Sequence, residues 1–392
     1  MAVKWFILEG FDLSMKILFV HPTLSFGGAE AQRLALLEKW NLSGYQPSIL
    51  CIEKKGDIGK RIEAMGIKVY CLNQPSKPYN IKATFLIWFF LLKNRFDIVQ
   101  TCLFNANFHG RIAAFLAGVR FIFSEEHSEH YQYTSFKFMP NIIADNLLSK
   151  VTDSVICCCD TLKGDIAKLE KIKHSKFTTI FSSLDFDKLK QVPENGDIRK
   201  RMCFAETDFI IGNVGSMSPR KGQEYLVQAF ALIAKKAPVS RLIFIGYEYE
   251  AVRNKLEILA KKLNIRGNVH FFGKQERAVD YYSIMDVFVL SSLCEGIPLV
   301  ILEAMYMGVP VVSTDVGGVR EIIKHNHTGI LVKPQDPEAI ANAVTELFFD
   351  KQKRLGMAKA AKENSLDKFK PQRYLSELEK LYCTTINGKH NR

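Results

Sequence analysis

The sequence predicts an α/β protein of two doubly wound, Rossmann-like domains in tandem. Three observations predict it. Short β-rich apolar runs alternate with helical stretches along most of the chain, and such alternation builds a parallel sheet with right-handed crossovers. The alternation breaks at a polar, charged stretch from Leu189 to Arg201, with Pro193, Asn195 and Gly196, and then starts again. The chain also has 392 residues, which exceeds one ordinary core and fits two domains of roughly 150–200 residues.

The elements follow in order. Residues 1–14, MAVKWFILEGFDLS, form an N-terminal extension without a convincing signal-peptide pattern: the apolar run is short and no small-residue cleavage site follows. Met15-Lys16-Ile17 reads as the start of the fold. The first domain, residues 15–190, opens with the strand Lys16–Val20, ends it at His21-Pro22, and passes through a loop holding Gly27 and Gly28. A helix begins near Ala29, because Leu34, Leu37 and Trp40 recur at helical spacing. Strand, glycine loop and helix open a doubly wound domain. Further strands are expected at Ile49–Ile52, Val69–Leu72, Ile98–Thr101, Phe121–Ser124 and Val155–Cys159. The second domain, residues 191–370, repeats the pattern with strands at Ile210–Val214, Arg241–Ile245, Val269–Phe272, Val287–Leu290 and Val309–Ser313. Residues 371–392 form a C-terminal helix and tail, with Tyr374, Leu378 and Leu381 at helical spacing before a frayed basic end.

Apolar residues make up 47% and charged residues 24%, the composition of a soluble globular protein. The net charge of +12 points to an anionic partner: nucleic acid, a phosphorylated substrate or an anionic membrane surface. Nucleic acid is set aside, because the basic residues are dispersed and no recognised motif accompanies them. The nine cysteines show no CxxC pair. Cys157, Cys158 and Cys159 follow Val155-Ile156 and read as part of a buried strand, so reduced thiols of a cytosolic protein are the simplest account. No stretch reaches the roughly 20 apolar residues of a membrane span. The nearest, Phe85–Leu92 (FLIWFFLL) flanked by Lys82, Lys93 and Arg95, reads as a core helix, with a helix lying on a membrane surface as the alternative.

The chemistry concentrates at strand carboxyl ends. After Leu290, residues Ser291, Ser292 and Gly296 make a loop. Pro298 suits a first helical turn, where its missing N–H would have no partner, and Gly308 ends a helix running Leu299–Met307. Glu295 sits on that loop and Glu303 about one and a half turns into the helix. As bare spacing, two glutamates eight apart are more simply a solvated surface. Their context matters more. Two other loops follow strands in the same domain: Gly215-Ser216-Met217-Ser218-Pro219-Arg220-Lys221-Gly222, and the Gly317-Gly318 loop before Glu321-Ile322-Ile323. Glycine lets backbone approach a ligand, a cationic pair at a helix entrance suits phosphate, and a carboxylate can hold ribose hydroxyls. Three such loops in one domain place a ligand in the crevice. No Asp/Asp or His/Cys pair in these segments offers metal ligands, so no obligatory metal is expected.

Together VGSMSPRKG, LSSLCEGIPLVILEAMYMGVPVVSTDVGGVREII and the N-terminal SFGGAE resemble the retaining glycosyltransferases of family 4. The E-x7-E element is that family's mark. The resemblance runs from Met15 to about Ala343 and is strongest in the second domain. It implies the GT-B fold, in which two Rossmann-like domains face each other across a cleft, the first taking the acceptor and the second the donor. It implies a UDP- or GDP-sugar as substrate and no required cofactor. Glu303 would bind the donor ribose and Glu295 would sit by the donor sugar. The backbone of Ile297, Pro298 and Leu299 would touch the sugar or diphosphate. Lys221 matches the diphosphate-binding lysine of the Gly215 loop. Where the family usually has an arginine directly after that glycine, this chain has Ser216, and Arg220 is the nearest substitute. Gly27 and Gly28 match the N-terminal glycine loop. His127, after FIFSEE, matches a histidine close to the transferred sugar, with His130 three residues away, whereas His109 reads as packing. Two further departures are Ser182-Ser183-Leu184-Asp185 and Gly246-Tyr247-Glu248, at loops that set donor fit or hinge geometry.

The expected activity is retaining transfer of a sugar to an acceptor, most simply a lipid-linked or cell-surface glycan precursor, by a cytoplasmic protein peripheral to the inner membrane face. A nucleotide-sugar epimerase of the same fold and a non-catalytic nucleotide-sugar-binding module are the alternatives.

Overall fold

The computed structural model describes residues 14–25, 27–127, 139–190, 195–364 and 366–390. Almost all of the N-terminal extension, and His130, lie outside these residues. Within them, the strands form two all-parallel sheets. The first has β1 (Met15–His21), β2 (Tyr45–Cys51), β3 (Lys68–Cys71), β4 (Ile98–Cys102), β5 (Phe121–Glu126), β6 (Ser154–Cys157) and β7 (Phe177–Thr179), in the order 3-2-1-4-5-6-7. The second has β8 (Phe209–Val214), β9 (Ser240–Ile245), β10 (Val269–Phe271), β11 (Val287–Leu290), β12 (Val311–Thr314) and β13 (Ile330–Val332), in the order 10-9-8-11-12-13. The central strands are continuous apolar runs because helices cover both faces; Ile17, Leu18, Phe19 and Val20 have no exposed surface. Strand order reverses between β1 and β4 and between β8 and β11. The carboxyl ends at those two switch points are where such sheets open a ligand crevice.

The structure corrects several expectations. Strands β7 and β13, three residues each, add to the strands expected from sequence. Strand β2 starts at Tyr45 rather than Ile49 and includes Pro47. β3 pairs with it only from Ser48 onward, so Pro47 lies where β2 is still an edge strand, a place that tolerates proline. β6 stops at Cys157; Cys158 lies in the loop and Cys159 caps the helix Asp160–Leu169, its sulfur accepting from Leu162 N at 3.4 Å. All nine cysteines are free thiols. β12 starts at Val311, after Pro310, and the Gly317-Gly318 loop continues as a 3-10 turn through Glu321 rather than into an α-helix.

The helix Ile81–Asn94 is not the core helix its composition suggests. It buries Ala83, Ile87 and Leu91, a row at helical spacing that packs on Val20, Leu50 and Val99. The opposite row faces out: Ile81 is 82% exposed, Phe85 55%, Phe89 57% and Leu92 45%. No helix among the described residues is long and apolar enough to cross a membrane.

The C-terminal helix Pro371–His390 is no loose tail. It leaves the second sheet and returns to the first, where Tyr374, Leu375, Leu378 and Tyr382 join the core of Ile17, Phe19 and Phe121. Tyr382, rather than Leu381, is the buried member of that turn. A second apolar core runs between the sheets, combining Val155, Cys157 and Leu162 of the first with Ile297, Ile301 and Leu302 of the second.

Candidate functional site

The loops after β8 and β11 meet across the second switch point. The β8 loop begins at Gly215 and ends in a 3-10 turn, Pro219–Lys221. Lys221 Nζ lies 2.6 Å from Glu295 Oε1, and Arg220 Nη1 lies 3.6 Å from Glu295 Oε2. Ser292 Oγ donates to the same Oε1 at 2.6 Å. Burial alone would push the Glu295 carboxyl up, but the Lys221 ammonium and Arg220 guanidinium outweigh it and hold it below the usual range. Gly215 and Gly246 have φ of +148° and +142°, and a Cβ on Gly246 would sit 2.1 Å from the Gly215 carbonyl. These two loops therefore touch through backbone, which no side chain at Gly246 would permit.

Pro298 precedes the helix as its N-cap instead of filling the first turn, so the helix runs Leu299–Tyr306 and its free amides begin at Leu299. Met307 is the C-cap, with its N–H on the Glu303 carbonyl at 2.9 Å. Glu303 Oε2 accepts from Tyr282 Oη at 2.8 Å. Burial raises its carboxyl above the ordinary range, partly opposed by that hydrogen bond. Tyr282 is a site neighbour that sequence reading missed.

The first domain brings its own loops to the same place. Gly27 and Gly28 are exposed at the start of the helix Gly28–Lys39. Gly27 is extended, and a Cβ there would meet Glu30 Oε2 at 2.1 Å, so the buried Glu30 carboxylate folds over the glycine loop. His127 follows β5. A Cβ on Gly296 would lie 2.2 Å from the His127 carbonyl oxygen and 2.5 Å from Cys158 Sγ, while Gly318 N donates to Gly296 O at 3.0 Å. His127 and the Glu295 loop are thus in direct backbone contact. Glu321 strengthens the junction by capping the helix Asp160–Leu169, accepting from Thr161 N at 2.7 Å and Asp160 N at 3.1 Å. His109 is elsewhere, buried between Thr84 Oγ1 and the Lys77 carbonyl, a packing role.

A Gly296→Ala variant is expected to wedge this contact, because the clashing partner is backbone and cannot swing away. Turnover should fall by about 100-fold, the scale of a misplacement of about 1 Å, with the melting temperature nearly retained. Steady-state turnover alongside a thermal melt checks it; unchanged turnover would show that the contact is not needed in the reacting state.

Beneath His127 lies a charge network that the sequence did not announce. Arg33 Nη2 pairs with Glu125 Oε1 at 2.6 Å, both nearly fully buried. Arg33 Nε donates to His21 Nε2 at 3.3 Å. Burial and Arg33 lower the His21 ring to about 3, keeping it neutral. His127 Nε2 lies 3.2 Å from Glu125 Oε2. Period-two alternation does put Glu125 on the same face as His127, but its partners from the helix Gly28–Lys39 and the C-terminal helix were not legible.

Cys102, Glu125 and His127 have ligand-type atoms within 4.8 Å of one another, the one such His/Cys/acid group among the described residues and an exception to the expected lack of metal-type clusters. Their chemistry fits a metal poorly. Arg33 already supplies the cation at Glu125, and burial pushes the Cys102 thiol well up, which keeps it protonated.

Two facing α/β sheets with loops meeting at their switch points define the GT-B class. Two family models match in tandem, Glycosyltransferase Family 4 over residues 26–188 and Glycosyl transferases group 1 over residues 195–364. The chain belongs to the family 4 glycosyltransferases and is an enzyme of the glycosyl-transferring class. It is 24% identical over 383 residues to the UDP-Gal:alpha-D-GlcNAc-diphosphoundecaprenol alpha-1,3-galactosyltransferase of Escherichia coli, covering 95% of this chain and 98% of that one. It is 27% identical over 376 residues to an uncharacterised glycosyltransferase of Methanocaldococcus jannaschii, covering 88% of each. Among solved structures, Anabaena HepE in complex with UDP and glucose superposes with a TM-score of 0.82 at 22% identity, over 94% of this chain and 99% of that one. WaaG, a glycosyltransferase involved in lipopolysaccharide biosynthesis, superposes at 0.74 and 18% identity, over 92% and 98%.

Proposed function

We propose that the protein moves a sugar from a UDP-sugar, with retained anomeric configuration, onto a lipid-linked glycan precursor at the inner membrane face. The observation that carries this reading is the Lys221–Glu295 pair, flanked by Arg220, across the β8/β11 switch point. Two cations and a carboxylate held together there suit a diphosphate that displaces Glu295 from the cations and a sugar that takes its place beside it. The bond from the anomeric carbon to the diphosphate oxygen breaks, the acceptor oxygen forms the new bond on the same face, and the acceptor proton passes to the departing phosphate. Lys221, Arg220 and the amides from Leu299 onward stabilise the charge that develops. Glu303 holds the ribose hydroxyls, and the backbone of Ile297, Pro298 and Leu299 lines the sugar. Gly215 on one side and Gly27 and Gly28 on the other let backbone close on the diphosphate. His127 faces the transferred sugar. This chemistry calls for no metal or other cofactor. The HepE complexes with UDP, and the E. coli relative's UDP-galactose donor and diphosphoundecaprenol acceptor, support the choice of donor and acceptor class. A screen of UDP-, GDP- and ADP-sugars for nucleotide release with a polyprenyl-diphosphate sugar acceptor tests it. Epimerised free sugar without acceptor product would overturn it.

The outward face of the helix Ile81–Asn94 favours a membrane-surface position for the acceptor domain. Its exposed Ile81, Phe85, Phe89 and Leu92 stand among exposed Lys82, Lys93 and Arg95, the pattern of a helix lying at an anionic interface. Phe85→Ser/Phe89→Ser is expected to lower co-sedimentation with anionic phosphatidylglycerol vesicles at low salt by about tenfold without changing the melting temperature. Equal sedimentation of both proteins would reject the surface.

A further inference from the structure

Glu125 is buried and uses its two oxygens differently. Oε1 accepts from Arg33 Nη2 at 2.6 Å, from Tyr374 Oη at 2.9 Å and from Gln100 Nε2. Oε2 is turned to His127 Nε2 at 3.2 Å. Tyr374 comes from the C-terminal helix, 249 residues away in sequence, and Tyr382 of the same helix bonds Gln100. Neither Glu125 nor Tyr374 belongs to the donor-binding loops, yet Glu125 faces the ring beside the Glu295 loop and Tyr374 bonds that same carboxylate.

We propose that Glu125 is a positioning residue for the transfer reaction: its Oε2 fixes His127 in the Nε2–H form, leaving Nδ1 to accept from a sugar hydroxyl, and Tyr374 sets the strength of that hold. The proposal rests on the reading of His127 as a residue facing the transferred sugar. A carboxylate on one ring nitrogen sets the tautomer and orientation of an imidazole. Here the carboxylate stays charged: burial would raise it, but Arg33 and His127 hold it well below its usual range. Other groups around the ring are less able to compete. On β1, His21 is neutral. On the helix Gly28–Lys39, burial raises the Glu30 carboxyl. On β4, Cys102 is a buried thiol, and on the C-terminal helix Tyr374 and Tyr382 are buried phenols, all raised by burial. Across the Gly296 contact, Glu295 is already paired with Lys221 and Arg220. The neighbouring Glu126 accepts from Asn107 Nδ2 at 2.7 Å, and of all these groups Glu125 is the one hydrogen-bonded to the His127 ring.

The test combines pH–rate profiles with ring-nitrogen NMR on the full chain, using Glu125→Gln, Tyr374→Phe and, for assignment, His127→Asn. In the unsubstituted protein the His127 ring should show the Nε2–H form at pH 8. Glu125→Gln removes the charge that favours imidazolium, so the acidic limb of kcat moves to lower pH. Its kcat falls by about 10–100-fold, the scale seen when a partner that orients a histidine is lost, while the donor KM stays within about twofold. Tyr374→Phe removes one donor from the carboxylate and makes it a better acceptor, so the limb moves to higher pH with a smaller loss of kcat. Opposite shifts are the signature, since a merely structural role would lower activity without moving the limb. If Glu125→Gln does not fold because Arg33 loses its partner, Tyr374→Phe keeps that pair and carries the test. Unmoved limbs, or an Nδ1–H ring in the unsubstituted protein, overturn the proposal. If no donor is turned over, the proposed function fails, while the ring spectrum still decides the tautomer.

Discussion

Lys221→Ala is expected to lower kcat/KM by about 10²–10³-fold, the scale for removing one preorganised donor from a developing charge. Lys221 sits in the short turn Pro219–Lys221 at the carboxyl end of β8, and its ammonium is held 2.6 Å from Glu295 before any donor arrives. The charge is therefore in place without reorganisation when the diphosphate leaves. Arg220 does not replace it: its guanidinium is 3.6 Å from Glu295, partly committed to the Cys294 carbonyl at 3.1 Å, and more open to solvent. Screening by water weakens a cation in that position. The variant also leaves Glu295 buried with one distant cation, so its carboxyl rises. Lys221→Arg should recover a fraction of the activity, because charge returns but the planar fork does not reproduce the point contact. Nucleotide release measured at saturating acceptor checks the set. A loss below about threefold in Lys221→Ala would sink the assignment of this lysine to the leaving group.

Arg33→Met is expected to cost roughly 3–5 kcal/mol of stability, because removing one partner of a buried ion pair leaves the other charge unpaired. That corresponds to a fall in melting temperature on the order of 10 °C. Arg33 is 3% exposed and Glu125 2%, so water cannot take the place of the lost partner. The pH dependence has a definite sign. In the native protein Glu125 lies well below its unfolded value. Its contribution to stability is therefore present above the ordinary carboxylate range and lost as pH falls through the lower native value. In Arg33→Met, burial dominates and the carboxyl rises instead, so the deficit is largest near neutrality and shrinks as the solution is acidified toward that range. Melts at pH 7.5 and pH 5 separate the two. The double variant Arg33→Met/Glu125→Leu should regain most of the loss. A single variant melting within about 2 °C of the original at pH 7.5 would contradict the buried-pair account.

Much of the fold was readable because buried parallel strands are apolar along their whole length. β1, β4, β8 and β11, which flank the two switch points, all stood out as such runs, and with them the loops that carry Gly27, Lys221 and Glu295. Edge strands β7 and β13 did not. The helix Ile81–Asn94 departs from its sequence expectation for a physical reason. Eight apolar residues in a row hide which side of the helix meets the sheet, and only packing of Ala83, Ile87 and Leu91 against the first sheet decides that Phe85 and Phe89 face outward.

The candidate site divides along the same line. Residues held by their own loop were legible: Glu295 and Glu303 frame one strand end and one helix, and Lys221 follows a glycine at another strand end. Local chain geometry determines those positions, and local geometry is written in spacing, glycine and proline. Partners recruited from far along the chain were not. Tyr282 reaches Glu303 across 21 residues, Arg33 reaches Glu125 across 92, and Tyr374 reaches it across 249. Sequence by itself determined two doubly wound sheets, the loops at their carboxyl ends and the family to which they point. Only the tertiary structure decided which charges are buried together, because burial turns an ordinary arginine, glutamate and tyrosine into a network whose members must all be paired.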